Sequence, residues 1–186
     1  MNLSELYLYR NSINKNQTDK GRDHNYIDGY YNQKFAPSQH ANINLLELGV
    51  ARGESLSLWR EFFSKASIYG IDIDKNVCIM CNTISNIDFR VENGYCQKAL
   101  DMFKDGFFDF IIEDGPHSLE TQIFAAKEWT KKLKIEGVLI IEDIQNYDFI
   151  PTIRAEVPQN CQVNVYDLRK DKNRYDDIIV EITRKS

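Results

Sequence analysis

The sequence has no apolar run approaching the ~20 residues that a membrane-spanning helix needs. Its polar start, Met1-Asn2-Leu3-Ser4-Glu5, does not read as a signal peptide. It has no excess of basic residues either: 23 Lys and Arg stand against 28 Asp and Glu, a net charge of −5. A nucleic-acid backbone favours a basic face, so neither nucleic acid nor a membrane is an expected partner. Cysteine is scarce, with four in 186 residues. Cys78 and Cys81 form one CxxC, far from Cys96 and Cys161. Without a second pair, or histidines at ligand spacing, zinc is weakly supported. Buried reduced thiols on a helix after Asp74 are the better reading, and a cytoplasmic location follows. There is no internal repeat, no low-complexity linker, and no GxGxxG turn of the kind that makes room for a dinucleotide pyrophosphate.

What is present is a globular composition, 42% hydrophobic and 27% charged, in a chain of one-domain length. Residues 1–40, polar and rich in Asn, Tyr and charge, read as an N-terminal arm of short helices. From Ile43 the texture changes. Strands are expected over Ile43–Leu48, Ser67–Ile71, Ile87–Val91, Phe107–Ile112 and Gly137–Ile141, with helices over Ser55–Phe63, Gln97–Phe103 and Leu119–Leu133. This alternation predicts βαβ units and a parallel sheet. Val163–Leu168 and Asp177–Thr183 are joined only by a short charged link, too short for a parallel crossover, so they should pair antiparallel. Residues 41–186 are therefore expected to form an α/β domain of Rossmann-like, class I methyltransferase organisation. Its sheet should be seven-stranded and mostly parallel, with an antiparallel C-terminal strand and helices on both faces.

Asp114, Glu142 and Asp143 stand where the fourth and fifth strands stop. In open α/β sheets ligands bind beyond the carboxyl ends of the strands, so these carboxylates should converge, with His117 close by. Hard oxygen ligands suit Mg²⁺ or Mn²⁺, and an imidazole suits a general base. A cation there could take two neighbouring hydroxyls of a substrate and lower their pKa. The bland alternative stays open: carboxylates after strands cap helices, and Asp-Gly-Pro-His forms turns. At the first strand-to-helix turn, Glu47, Gly49, Val50, Ala51, Arg52, Gly53 and Ser55 form a second candidate. Glycine lets backbone approach a ligand, and the helix start offers free N–H groups. In S-adenosylmethionine (SAM) enzymes such a turn wraps the amino-acid end of the cofactor. Asp72, ending the second strand, can accept both ribose hydroxyls or cap a helix.

Together these residues resemble the metal-dependent sugar O-methyltransferases of the mycinamicin and macrocin type, close to the cephalosporin hydroxylase-like group. Thr18-Asp19-Lys20, His24-Asn25-Tyr26 and Tyr30 are similar to that family's N-terminal TDK…HxY…Y motif. Glu47-Leu48-Gly49-Val50 and Gly53-Glu54-Ser55-Leu56 resemble its cofactor turn. Asp114-Gly115-Pro116-His117 resembles its D-G-S-H, and Glu142-Asp143 its second metal pair. The resemblance implies SAM as cofactor, Mg²⁺ or Mn²⁺ held by Asp114, Glu142 and Asp143, and His117 as the catalytic base. It adds Ile73, Gly94, Tyr95 and Glu113 to the expected cofactor contacts. Pro116 stands where the family has a small hydroxyl residue, and Gly94-Tyr95 where it has Gly-Asp, so adenine is expected on Tyr95, Ile73 or backbone. The implied substrate is a small-molecule sugar acceptor. A non-sugar diol, a phosphorylated intermediate, or a non-catalytic SAM-fold subunit are the alternatives.

The arm keeps two readings. On an α-helix Lys20, His24, Ile27 and Tyr31 share one face, and Tyr26 and Tyr30 share another. Either this is an amphipathic helix packed on the core, or Asp19, Lys20, His24, Tyr26 and Tyr30 belong to a lid over cofactor and acceptor. Such a lid could reach a neighbouring subunit of a homo-oligomer.

Overall fold

In the computed structural model, which describes residues 1–13, 18–77 and 86–186, five apolar runs pair as parallel strands. They are β1 (Asn44–Leu48), β2 (Ser67–Asp72), β3 (Ile87–Val91), β4 (Phe108–Glu113) and β5 (Leu133–Ile141). Two more, β6 (Cys161–Asp167) and β7 (Ile178–Arg184), complete a sheet of order β3-β2-β1-β4-β5-β7-β6. β7 slots between β5 and β6 and runs antiparallel to both. The fold is the expected one. Central strands read as nearly unbroken apolar runs because both faces of the sheet are covered. Leu45, Ile112, Ile140 and Ile179 pack into one layer, and Leu46, Ile111, Leu139 and Val180 into the other.

The first layer is built by the N-terminal arm and α4 (Glu54–Phe62). The arm comprises α1 (Leu3–Ser12), α2 (Asp19–Arg22), a π-helical turn (Ile27–Tyr31) and α3 (Asn32–Phe35). An Asn2/Glu5 capping box starts α1, meeting the helix's first unpaired N–H groups. Arg10, 4% exposed, reaches Glu61 and the Ser57 hydroxyl on α4. Phe35 packs against Trp59, Phe63 and Phe110. The second layer carries α5 (Gln97–Leu100), α6 (Leu119–Glu128) and α7 (Phe149–Glu156), while α8 (Arg169–Lys172) lies between β6 and β7.

Several boundaries move. The helix expected to run to Leu133 stops at Glu128 and tightens into a 3₁₀ turn, Trp129–Lys132, with Leu133 already in β5. The β4–β5 register then shifts between Phe108 and Phe110. At the jog Glu136 has φ 62°, and a Cβ on Gly137 would press on backbone of Lys134 and Phe108. A bulge of this kind adds residues that period-2 reading cannot see. The helix α7 was not anticipated, because Pro151 interrupts it; in the first helical turn Pro costs no hydrogen bond. Cys78 and Cys81 lie outside the described residues. No helix among the described residues is long and apolar enough to cross a membrane.

Candidate functional site

β1 and β4 are neighbours, so the turns that follow them lie side by side. Gly49 has φ 81°, and a Cβ there would collide with the Asp114 carbonyl and Gly115. Glycine is thus required twice over, for dihedral and for space. Beside these turns opens a cavity of about 480 Å³ lined by Gly49, Ala51, Asp72, Ile73, Gly94, Tyr95 and Asp114. Its size and mixed lining are those of a cofactor site. Asp72 Oδ2 accepts from the N–H groups of Val50 (2.8 Å) and Ala51 (3.1 Å), and Oδ1 from that of Asp74 (2.9 Å). The carboxylate therefore fastens the turn as well as facing the cavity.

Not every expected cofactor contact reaches that cavity. Glu47 is fully buried, accepting from the Ser55 hydroxyl (2.6 Å) and Trp59 Nε1 (3.0 Å); burial pushes its carboxyl up to about 7. It points into the arm layer because it shares the face of Leu45 on β1. Glu113 is also enclosed, accepting a hydrogen bond from the Tyr95 hydroxyl, and burial lifts its carboxyl to about 7. Val50, Arg52 and Ser55 line a recess of about 270 Å³ with Thr18, Asp19 and Arg22, which shares Ala51 and Asp114 with the cavity. Gly53 (φ 79°) turns the chain into α4.

The carboxylates after β4 and β5 meet as expected, but in two environments. Asp114, His117 and Asp143 place ligand atoms within 4.8 Å of one another. His117 Nε2 lies 3.6 Å from Asp143 Oδ2 and 4.0 Å from Asp114 Oδ1. Both His117 (φ 57°) and Asp143 (φ 53°) hold left-handed backbone, a strain that clusters at functional sites. Glu142 instead turns inward, 1% exposed, where Lys20 Nζ and the Tyr31 hydroxyl take its two oxygens. Lys20 also pairs with Asp114 Oδ2 and lies 3.6 Å from Glu47. Burial alone would push the Lys20 ammonium down, but Asp114, Glu142 and Glu47 hold it well above the usual lysine range. Burial likewise pushes the Glu142 carboxyl well up, with Lys20 opposing.

The arm packs on the sheet and reaches the site from within the same chain. Lys20, Tyr26 and Tyr31 are 0–1% exposed and hydrogen-bond to the carboxylates after β4 and β5. The π-helical turn, closed by Asn32 N–H donating to the Ile27 carbonyl, resets the helical faces. Tyr26 donates to Asp143 Oδ1 (2.7 Å) and Tyr31 to Glu142, whereas Tyr30 swings away to Glu181 (2.6 Å). An α-helical wheel pairs Tyr26 with Tyr30; the wider turn pairs it with Tyr31. π-bulges recur at functional sites for this reason.

His24 is buried, its Nδ1 2.6 Å from Asp177 and 3.4 Å from Asp143. Sequence patterning gives Asp177 and Gln122 no place at the site, and puts Tyr31 on the face of Lys20 and His24 without marking it as a site residue. The Gln122 amide donates to the carbonyls of Glu142 (3.3 Å) and Asp143 (3.4 Å). A signal existed for Asp177. An antiparallel strand begins at the edge where parallel strands end, so acids opening β7 must lie beside the site. His24, Asp176 and Asp177 also cluster closely enough for a cation, but the Arg174 guanidinium, 3.0 Å from Asp176 and 3.5 Å from Asp177, supplies that charge.

A family model described as a methyltransferase domain matches residues 46–144, and the chain belongs to that family. Among its relatives, the 8-demethyl-8-alpha-L-rhamnosyl tetracenomycin-C 2'-O-methyltransferase of Streptomyces olivaceus is 25% identical over 161 residues, covering 82% of this chain and 42% of that protein. Demethylmacrocin O-methyltransferase of Streptomyces fradiae is 25% identical over 122 residues, covering 62% and 31%. The chain spans less than half the length of these curated relatives. The MycE methyltransferase of the mycinamycin pathway, solved with Mg, SAH and mycinamycin VI, superposes with a TM-score of 0.72 at 20% identity. That match covers 100% of this chain and 55% of MycE. At that identity the likeness establishes the fold.

Proposed function

We propose that the protein transfers a methyl group from SAM to a hydroxyl of a sugar, with a divalent cation bound at the open aspartates. The observation that carries this reading is the junction of a cofactor-sized cavity with the Asp114, His117 and Asp143 cluster, the two sharing Asp114. Relatives named for O-methylation of a rhamnosyl compound and of demethylmacrocin support the acceptor class. The donor set fits Mg²⁺, which keeps much of its water and is bound through one or two carboxylates. Bound there, the cation supplies charge that lowers the pKa of an acceptor hydroxyl.

The chain's own residues do the rest. Gly49 and Ala51 bring backbone against the cofactor, and Asp72 offers acceptors to the ribose. His117 Nε2 would take the hydroxyl proton as the oxygen bonds to the methyl carbon and the methyl–sulfur bond breaks with its electron pair left on sulfur. Asp114 and Asp143 would stabilise the imidazolium. Holding the two reactants side by side contributes further to rate. The test is transfer of labelled methyl from SAM to a panel of nucleotide sugars and glycosides, with and without EDTA. The expected result is O-methylated sugar in Mg²⁺ and none in EDTA. Full activity in EDTA, or no sugar product alongside another methylated acceptor, rejects the reading.

A further inference from the structure

The oxygens of the three carboxylates are not equally available. Asp143 gives Oδ1 to the Tyr26 hydroxyl and leaves Oδ2 toward His117. Asp114 gives Oδ2 to Lys20 and leaves Oδ1 toward His117. Glu142 leaves none, since Lys20 and Tyr31 take one oxygen each and its side chain is 1% exposed. Lys20 is equally enclosed, with its ammonium among Asp114, Glu142 and Glu47. A cation in contact with Glu142 would have to displace an ammonium whose stem is sealed in the arm layer.

We propose that Lys20 is a permanent internal counter-ion for Glu142, a positioning residue that withdraws Glu142 from the divalent-cation site and leaves the ion to Asp114 and Asp143. The proposal rests on the cation-dependent reading above. It separates two roles that neighbouring acids would otherwise share. Glu142 and Lys20 lock the arm to the end of β5, and Lys20 also fixes the inner oxygen of Asp114, so that its outer oxygen stays aimed at the open side. Two carboxylates then suffice for an ion that retains water.

The test uses the whole chain, Mn²⁺ titrations by calorimetry, and thermal melting in EDTA. Glu142→Gln should bind Mn²⁺ within about threefold of the unaltered chain, whereas Asp143→Asn should bind more than ~100-fold more weakly, as loss of a ligand exceeds the outer-shell range. In EDTA, Lys20→Met should lower the melting temperature by about 10 °C, the scale for stripping one partner from a buried ion pair in a chain of this size. Adding Glu142→Gln to Lys20→Met should recover much of that loss, because the two sites are coupled. If Lys20→Met does not fold, the double variant, which lacks both charges, should still fold and bind Mn²⁺; its failure to do either overturns the proposal. Loss of Mn²⁺ binding in Glu142→Gln as deep as in Asp143→Asn makes Glu142 a ligand and overturns it, as does equal melting of the single and double Lys20 variants. No Mn²⁺ binding by the unaltered chain overturns the cation reading itself, and the proposal with it. That outcome is distinct from binding by the unaltered chain that only Glu142→Gln loses.

Discussion

Glu47, Glu142 and Glu181 end inside the protein, each met by donors from the arm or α4, while Asp72, Asp114 and Asp143 end at the open edge of the sheet. The glutamates are 0–2% exposed, on the sheet face that the arm covers. Lys20 and Tyr31 serve Glu142, Tyr30 and Lys34 serve Glu181, and Ser55 and Trp59 serve Glu47. Asp72 closes β2 and lines the cavity, while Asp114 and Asp143 sit in turns and each keep an oxygen toward His117. The difference is one of surroundings. A buried acid must be paired, and its partner then contributes to folding; an acid at a turn can be held on one side and left to a ligand on the other. Damage on the inner side should therefore appear in stability, and on the outer side in turnover and binding.

The largest expected effect lies on the outer side. His117→Ala should lower kcat by roughly 10²–10⁴-fold, the usual loss with a general base, and leave the melting temperature nearly unchanged. Retention of a third of the activity would remove His117 from the base role and bring His24, beside Asp143 at 3.4 Å, forward. Next comes the inner side. Glu142→Ala takes one of three carboxylates from the Lys20 ammonium and the acceptor from the Tyr31 hydroxyl. It should cost about 3–5 kcal/mol in urea unfolding, the scale for a buried pair stripped of one partner. A cost near zero would dissolve the distinction between the two sets.

Glu113 tests the comparison through pH. Burial holds its carboxyl up at about 7, against an ordinary 4.5. A folded-state pKa above the unfolded one means the folded chain binds the proton more tightly. The stability gained is full below the unfolded pKa and is lost as pH rises through about 7. The shift corresponds to about 3 kcal/mol across that window. Melting should therefore fall from pH 5 to pH 8, and Glu113→Gln should flatten part of the slope, Glu47 supplying more of it from its own rise to about 7. An unchanged slope in the variant would show that Glu113 is ionised in the fold.

Much of this was legible beforehand. The mostly parallel sheet with its antiparallel end followed from alternating apolar runs and the short link after Leu168, and convergence of Asp114 with Asp143 from the rule that ligands gather beyond the carboxyl ends of strands. The arm was harder. Its π-helical turn cannot be read from a 3.6-residue period, which pairs Tyr26 with Tyr30 where the structure pairs Tyr26 with Tyr31 on Asp143 and Glu142. A clue stood in plain view: Glu181 interrupts Ile178–Ile182, and Glu47 sits within Asn44–Leu48. A glutamate at an inward position of an apolar strand requires a polar partner in the layer above, and only the arm, with its Tyr and Lys residues, could supply several. Glu142 turns inward for a related reason. It continues the alternation of β5 onto the face of Ile140, whereas Asp143 follows in left-handed backbone, so the two acids meet different surroundings.

The smallest expected effect concerns Asp72. Its Oδ2 holds the N–H groups of Val50 and Ala51, and its carboxylate lines the cavity of about 480 Å³ in which the proposed function seats SAM. Asp72→Ala should weaken SAM binding by ~1–3 kcal/mol, the loss when hydrogen bonds to a charged acceptor disappear. Stability should fall less than in Glu142→Ala, because the freed turn is exposed at Ala51 and water can take over its N–H groups. Asp72→Asn sharpens the point. The amide keeps one oxygen for the turn but loses the charge and one acceptor, so the turn should hold while SAM affinity still drops. Calorimetry with SAM and melting without it separate the two effects. If both variants lose stability on the scale of Glu142→Ala and bind SAM normally, Asp72 belongs with the inner acids and serves the turn alone.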